Sequence, residues 1–195
     1  MSLHPFIFTV EDQRDWQRKP GCSANPFSCF FCHLLEVLGV RSVLDLTYGL
    51  GSFYVKCRKS LTIIGVDIRR WAWLVEPDSF HQADAYEFIR SFNNRVDAVV
   101  LDPPYPTKPV DRHGDSYEVL YFGSMPLHEI VEVVKAARPR AGYVILKYMP
   151  LGNEELIKLL ALNPREVVTW RYMISRVKAT DSNRFVRNSV NIFIY

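Results

Sequence analysis

The sequence predicts an α/β domain of the doubly wound kind, with a mostly parallel sheet covered by helices on both faces. Three observations carry this. The short apolar runs are continuous rather than alternating, the pattern of strands buried on both sides. They alternate with stretches whose apolar residues recur at helical spacing, the rhythm of strand–helix–strand units. The 195 residues, 48% hydrophobic and 23% charged, suffice for one packed core. No repeat, low-complexity tract or linker divides the chain. Residues 1–195 therefore read as one domain, with 1–40 an N-terminal cap segment and helix and 41–195 the core.

The elements follow in order. Pro26 to Leu38 is a leading helix, its Phe30, Phe31, Leu34, Leu35 and Leu38 spaced to share one face. Arg41–Thr47 and Leu61–Ile68 are strands, and Phe80–Asp84 is a short one followed by a helix to Phe92. Asp97–Leu101 is the next strand, within the run from Val96 that ends in Asp102-Pro103-Pro104-Tyr105. Leu127–Ala137 has apolar residues at i, i+3, i+4 and i+7, a helix. Gly142–Tyr148 is a strand, Glu154–Leu162 a helix, and Glu166–Ile174 and Ser189–Tyr195 are two more strands. The last of these returns antiparallel through a charged loop, which makes seven strands in all. Pro106 to Ser124 is a long irregular segment, a lid candidate that holds Lys108 and His113.

Bulk properties exclude some classes. No apolar run reaches the ~18 residues a membrane span needs. The N-terminus lacks a basic segment followed by an apolar core, so the reading is cytoplasmic, with four reduced cysteines. Cys29-Phe-Phe-Cys32-His33 matches a haem-attachment pattern, and Cys22 could add a metal ligand. The same residues fit a helix core, and structural cysteines without metal are the expectation, Cys57 included. A net charge of +3 permits a nucleic-acid partner without requiring one.

Chemistry gathers at the strand ends. After the Arg41–Thr47 strand, Asp45-Leu-Thr47-Tyr-Gly49-Leu-Gly51 lets the backbone turn tightly and approach a ligand. The third glycine of a dinucleotide fingerprint is missing, since position 54 is Tyr, which argues against pyrophosphate binding. Asp67, followed by Ile68, ends the next strand, where an acid can accept both hydroxyls of a ribose. Asp84, followed by Ala85, ends the third. Each acid could instead cap a helix. The run Asp102-Pro-Pro-Tyr105 is the fourth; its other reading is a strand terminator, because proline donates no ladder hydrogen bond.

From about Asn25 to Tyr195 the chain resembles the S-adenosylmethionine-dependent amino-methyltransferases that carry a D/N-P-P-Y/F/W motif. The resemblance implies a single Rossmann-like class I methyltransferase domain whose seven-stranded sheet is parallel except for its last strand. It implies S-adenosyl-L-methionine as cofactor, with Asp45, Thr47, Gly49 and Gly51 under its methionine part. Asp67 and Ile68 would stand at its ribose, and Asp84 and Ala85 at its adenine. Asn25-Pro26-Phe27 resembles a segment that touches the methionine end. Thr47 stands where many relatives have an aromatic residue or proline.

The resemblance gives Asp102, Pro103, Pro104 and Tyr105 the catalytic role, with Asp102 also beside the cofactor. An exocyclic base amine is a poor nucleophile, since its lone pair is delocalised into the ring. The Asp102 carboxylate and the Pro103 carbonyl can accept the NH₂ hydrogens and free that lone pair. The prolines hold the geometry stiffly. Tyr105 can stack on a base that is flipped out or single-stranded.

The resemblance implies adenine N6 in DNA as the substrate, because the motif begins with Asp as in many DNA adenine-N6 enzymes; an RNA base, adenine N6 or guanine N2, is the alternative. A nucleic-acid-binding subunit without activity is the alternative from another class. Between Arg171 and Arg187 five cations (Arg171, Arg176, Lys178, Arg184, Arg187) face one acid, Asp181. A solvated loop would look the same; a phosphate-binding one would use Arg176, Lys178, Arg184 and Arg187, with Lys108 from the lid. No separate target-recognition domain fits, so specificity would come from these loops, a homodimer or a specificity subunit. No membrane partner is expected.

Overall fold

The computed structural model describes residues 7–104, 125–149, 152–176 and 184–195, and for residues 173–176 and 184–188 only the backbone. Its strands are β1 (Ile7–Asp12), β2 (Ser42–Asp45), β3 (Thr62–Asp67), β4 (Ser79–Gln82), β5 (Val96–Leu101), β6 (Ala141–Tyr148), β7 (Glu166–Arg176) and β8 (Arg184–Ile194). Its α-helices are α1 (Gln13–Gln17), α2 (Pro26–Val37), α3 (Ala85–Ser91), α4 (Leu127–Ala137) and α5 (Asn153–Leu160). The predicted elements thus stand where the sequence puts them, within a few residues except at the start of β8. The sheet order is β1-β7-β8-β6-β5-β2-β3-β4. Every described pairing is parallel except those of β8, which runs antiparallel to both β6 and β7. This is the Rossmann-like methyltransferase fold, with the last strand inserted inside the sheet rather than at its edge.

The strand count corrects the sequence reading: eight among the described residues, not seven. The extra strand lies in the segment assigned to an N-terminal cap. β1 pairs with β7 from Ile7↔Glu166 to Asp12↔Arg171, and Thr9 Oγ1 donates to Glu166 Oε1 at 3.0 Å. Ile7, Phe8 and Val10 stay exposed. An edge strand that buries so little carries no apolar alternation to reveal it. The charged loop is corrected too. β7 extends to Arg176 and β8 begins at Arg184, so much of the loop is hairpin. Beyond Arg171 and Asn191 the two strands pair only with each other among the described residues.

Helices cover both faces. α2 lays Phe30, Phe31, Leu34 and Leu35 on one face, against Val43, Ile63 and other core residues. α3, α4 and α5 cover the other over Leu44, Val99 and Leu146. The four cysteines, expected reduced, are joined as Cys22–Cys29 and Cys32–Cys57. The reason is local. Cys29 and Cys32 lie about one turn apart on α2, one bonded to the loop before the helix and the other to the segment after the glycine turn. Cα separations of 5.8 and 5.6 Å suit both bonds. No free cysteine remains. Among the described residues no group of His, Cys, Asp and Glu could hold a metal ion, and no helix is long and apolar enough to cross a membrane.

Candidate active site at the carboxyl ends of the strands

Strand order reverses between β2 and β5, and ligands of open α/β sheets bind at such a switch point. A cavity of about 520 Å³ opens there. Its floor begins with Asp45 at the end of β2, whose side chain is buried. Asp45 Oδ1 accepts from the Thr47 N–H at 3.0 Å and Oδ2 from the Tyr54 hydroxyl at 2.7 Å. Burial pushes its carboxyl up to about 7, and the charges of Asp102 and Asp67 push the same way, while the two hydrogen bonds oppose them. Burial also raises the Tyr54 hydroxyl, with Asp45 beside it. Asp45 thus shapes the turn, although it stands in the cavity wall.

Gly49 and Gly51 have φ of +54° and +71°, the left-handed region that glycine enters without a Cβ penalty. They differ in what surrounds them. A Cβ on Gly51 would meet the Tyr48 hydroxyl oxygen at 2.6 Å and the Val75 carbonyl oxygen at 2.7 Å. A Cβ on Gly65, in β3, would meet the same ring at 2.9 Å. Tyr48 thus fills the space that two glycines leave, and its hydroxyl donates to the Val75 carbonyl at 2.8 Å.

The Gly49 N–H donates to Asp67 Oδ2 at 2.9 Å, and Asp67 Oδ1 accepts from the Arg69 N–H at 3.0 Å. Asp84 is the N-cap of α3, with Oδ1 accepting from Tyr86 and Glu87 N–H groups. The capping reading of Asp84 holds, and the residue lines the cavity as well. A carboxylate offers about four acceptor sites, so Asp67 and Asp84 each keep capacity for a ligand. Thr47 accepts from the Asp102 N–H at 2.7 Å through Oγ1, which ties the glycine turn to the head of the proline motif. The carboxylate of Asp102 meets Lys147, whose Nζ lies 2.8 and 2.7 Å from its two oxygens.

The cavity thus brings together most of the residues singled out from sequence. Asp45, Thr47, Gly49, Asp67 and Ile68 line it. So do Asp84, Ala85, Asp102, Pro103 and Pro104. Gly51 stands behind the wall against Tyr48. Asn25 is exposed ahead of α2, and neither it nor Pro26 lines the cavity. Phe27 packs behind it, 5.0 Å from the ring of Phe53. Tyr105, Lys108, Lys178 and the lid 106–124 lie outside the described residues. Arg176 pairs with Arg184, and Arg187 with Met173, in the β7–β8 ladder.

Sequence reasoning missed Lys147, Trp71 and Glu129, which also line the cavity. A lysine inside the apolar run of β6 was a signal that went unused. Trp71 had a fainter one, an aromatic pair following the acid that ends β3.

No family model matches the chain, and no curated protein sequence matches it. Solved structures do match in fold. A candidate RNA methyltransferase of Pyrococcus horikoshii superposes with a TM-score of 0.54 at 15% identity, over 91% of this chain and 84% of that one. An S-adenosylmethionine-dependent methyltransferase of Archaeoglobus fulgidus gives 0.54 at 15% identity, over 86% and 93%. A precorrin-6y C5,15-methyltransferase of Geobacter metallireducens gives 0.53 at 13% identity, over 86% of each chain. Their named activities differ from one another, so the shared fold alone selects no substrate.

Proposed function

We propose that this chain is an S-adenosylmethionine-dependent N-methyltransferase of an exocyclic base amine, with adenine N6 in DNA as the first reading. The observation that carries it is the meeting of two motifs in one cavity. Asp102-Pro103-Pro104 and the glycine turn line the same space, and the bond from the Asp102 N–H to Thr47 Oγ1 couples them. The donor set fits the cofactor. Carboxylates at the ends of β3 and β4 suit a ribose and an adenine amine, and Ile68 and Trp71 offer apolar walls beside them. When bound, the cofactor supplies a methyl group on a sulfonium.

This chain's residues do the rest. Asp102 and the Pro103 carbonyl accept the hydrogens of the incoming amine. The two prolines keep that acceptor pair from moving. Asp102 then stands where the methylated nitrogen sheds its proton. Such a site works through positioning and electrostatics. An RNA base is the second reading, favoured by the Pyrococcus horikoshii protein's description.

The test is incubation with labelled S-adenosylmethionine and, separately, DNA, tRNA and rRNA, followed by identification of the modified nucleoside. N6-methyladenine in DNA is the expected product; a methylated nucleoside only in RNA moves the substrate to the second reading. Asp102→Ala should abolish transfer and leave cofactor affinity within about threefold, because the lost contact is made to the amine. No label on any nucleic acid, or near-normal turnover by Asp102→Ala, overturns the proposal.

A further inference from the structure

The ion pair at the head of the proline motif has no part in the scheme above. Lys147 is the only lysine, arginine or histidine among the described cavity-lining residues, against Asp45, Asp67, Asp84, Asp102 and Glu129. It comes from the neighbouring strand. β5 and β6 pair in parallel up to Leu101↔Leu146, so Asp102 and Lys147 follow as adjacent residues on one face. Their side chains are 23% and 19% exposed, so water screens the pair only partly. The ammonium also sits 5.3 Å from the centroid of Phe53 and 5.6 Å from that of Phe27. A carboxylate and two aromatic rings stand around it, and its contact with both carboxylate oxygens anchors the end of the Asp102 side chain.

An amide acceptor at position 102 would bring no charge. An aspartate brings a negative charge into a cavity that already holds four other acids. Removing Lys147 would take away the one cation that the described cavity lining sets against that charge, the costly way to break an ion pair. We propose that Lys147 is the positioning residue of the amine clamp. It holds the Asp102 carboxylate by bidentate pairing and makes an aspartate usable there. This rests on the base-amine reading. It deepens that reading by dividing the work: Asp102 meets the substrate, and Lys147 acts only through Asp102. A pair that merely stabilised the fold would leave turnover alone.

The test uses the full chain with labelled S-adenosylmethionine and single-stranded, adenine-containing DNA and RNA oligonucleotides. Lys147→Met should lower kcat by about tenfold or more, with KM for the nucleic acid and cofactor affinity within about threefold. Lys147→Arg, which can also pair bidentately, should recover most of the turnover. In the presence of Asp102→Asn, adding Lys147→Met should change kcat by less than about threefold, since no charge is left to offset. In the cofactor-free protein, Lys147→Met should lower the melting temperature, and Asp102→Asn added to it should restore part of the loss. If Lys147→Met fails to bind cofactor, Lys147→Gln carries the same comparison. A Lys147→Met kcat within threefold of the parent, with Asp102→Ala inactive, overturns the role of Lys147 and leaves the base-amine reading standing. A parent that labels neither oligonucleotide overturns both.

Discussion

Tyr48 holds the glycine turn from inside, and this makes the glycines around it unequal. Gly51→Ala meets two penalties, a positive φ and a Cβ within 2.7 Å of two oxygens. It should cost about 2–4 kcal/mol in urea unfolding; a cost below 1 kcal/mol would show that the turn adapts. Asp45 gives a second test. Its carboxyl is raised to about 7, so the folded state holds its proton where the unfolded state has released it. The stability this contributes is complete below about pH 4 and lost as pH rises to about 7, by up to about 4 kcal/mol. Asp78, held below the usual range by Arg58, and Asp97, by the Arg41 N–H, act oppositely and lose their contribution only at lower pH. Asp45→Asn should flatten the fall in melting temperature between pH 4 and 7; an unchanged slope would remove Asp45 as its source. The residues legible in advance were those whose chemistry is local: acids at strand ends, glycines in a turn, prolines after a strand. Lys147 and Tyr48 were not, because their roles depend on which strands are neighbours. Nothing in the order of β5 and β6 along the chain states their register.

At the scale of elements, α2 is fastened to the segment after the glycine turn by more than apolar contact. The Ser28 hydroxyl donates to the Phe53 carbonyl at 2.9 Å and accepts from the Lys56 N–H at 3.2 Å. The Cys32–Cys57 bond closes the same junction across a sequence separation of 25. Closing a loop of that length stabilises by about 3 kcal/mol in the chain-entropy model. Reduction with dithiothreitol should lower the melting temperature by several degrees, and mass spectrometry after alkylation should find four labelled cysteines only in the reduced sample. Labelling of all four without reductant would refute the pairing. The helices were the most readable elements: Leu127–Ala137 was bounded correctly because its apolar stripe is regular. β1 escaped because its side chains face water. The outer parts of β7 and β8 escaped because charges had replaced the apolar run, so hairpin read as loop.

Across the whole molecule, charge is divided. Acids crowd the cavity, where a sulfonium cation would sit, while Arg176, Arg184 and Arg187 lie on the outlying β7–β8 arm. The pattern suits a cationic cofactor and an anionic polymer. If the arm meets phosphates, Arg184→Ala with Arg187→Ala should lower nucleic-acid affinity and reduce the slope of log K against log salt by about 2. An unchanged slope would return the arm to plain solvated surface. The position of β8 reaches further than its antiparallel pairing. It lies between β6 and β7, and Tyr195 closes a reciprocal backbone pair with Val144. As the chain leaves the ribosome, β1 waits for a partner more than 150 residues behind it, and β6 keeps an open edge until β8 arrives. Two parts of the sheet, β1-β7 and β6-β5-β2-β3-β4, are joined only through β8, which follows them all in the chain. Slow folding and a need for protection from edge-to-edge aggregation follow from that order of synthesis.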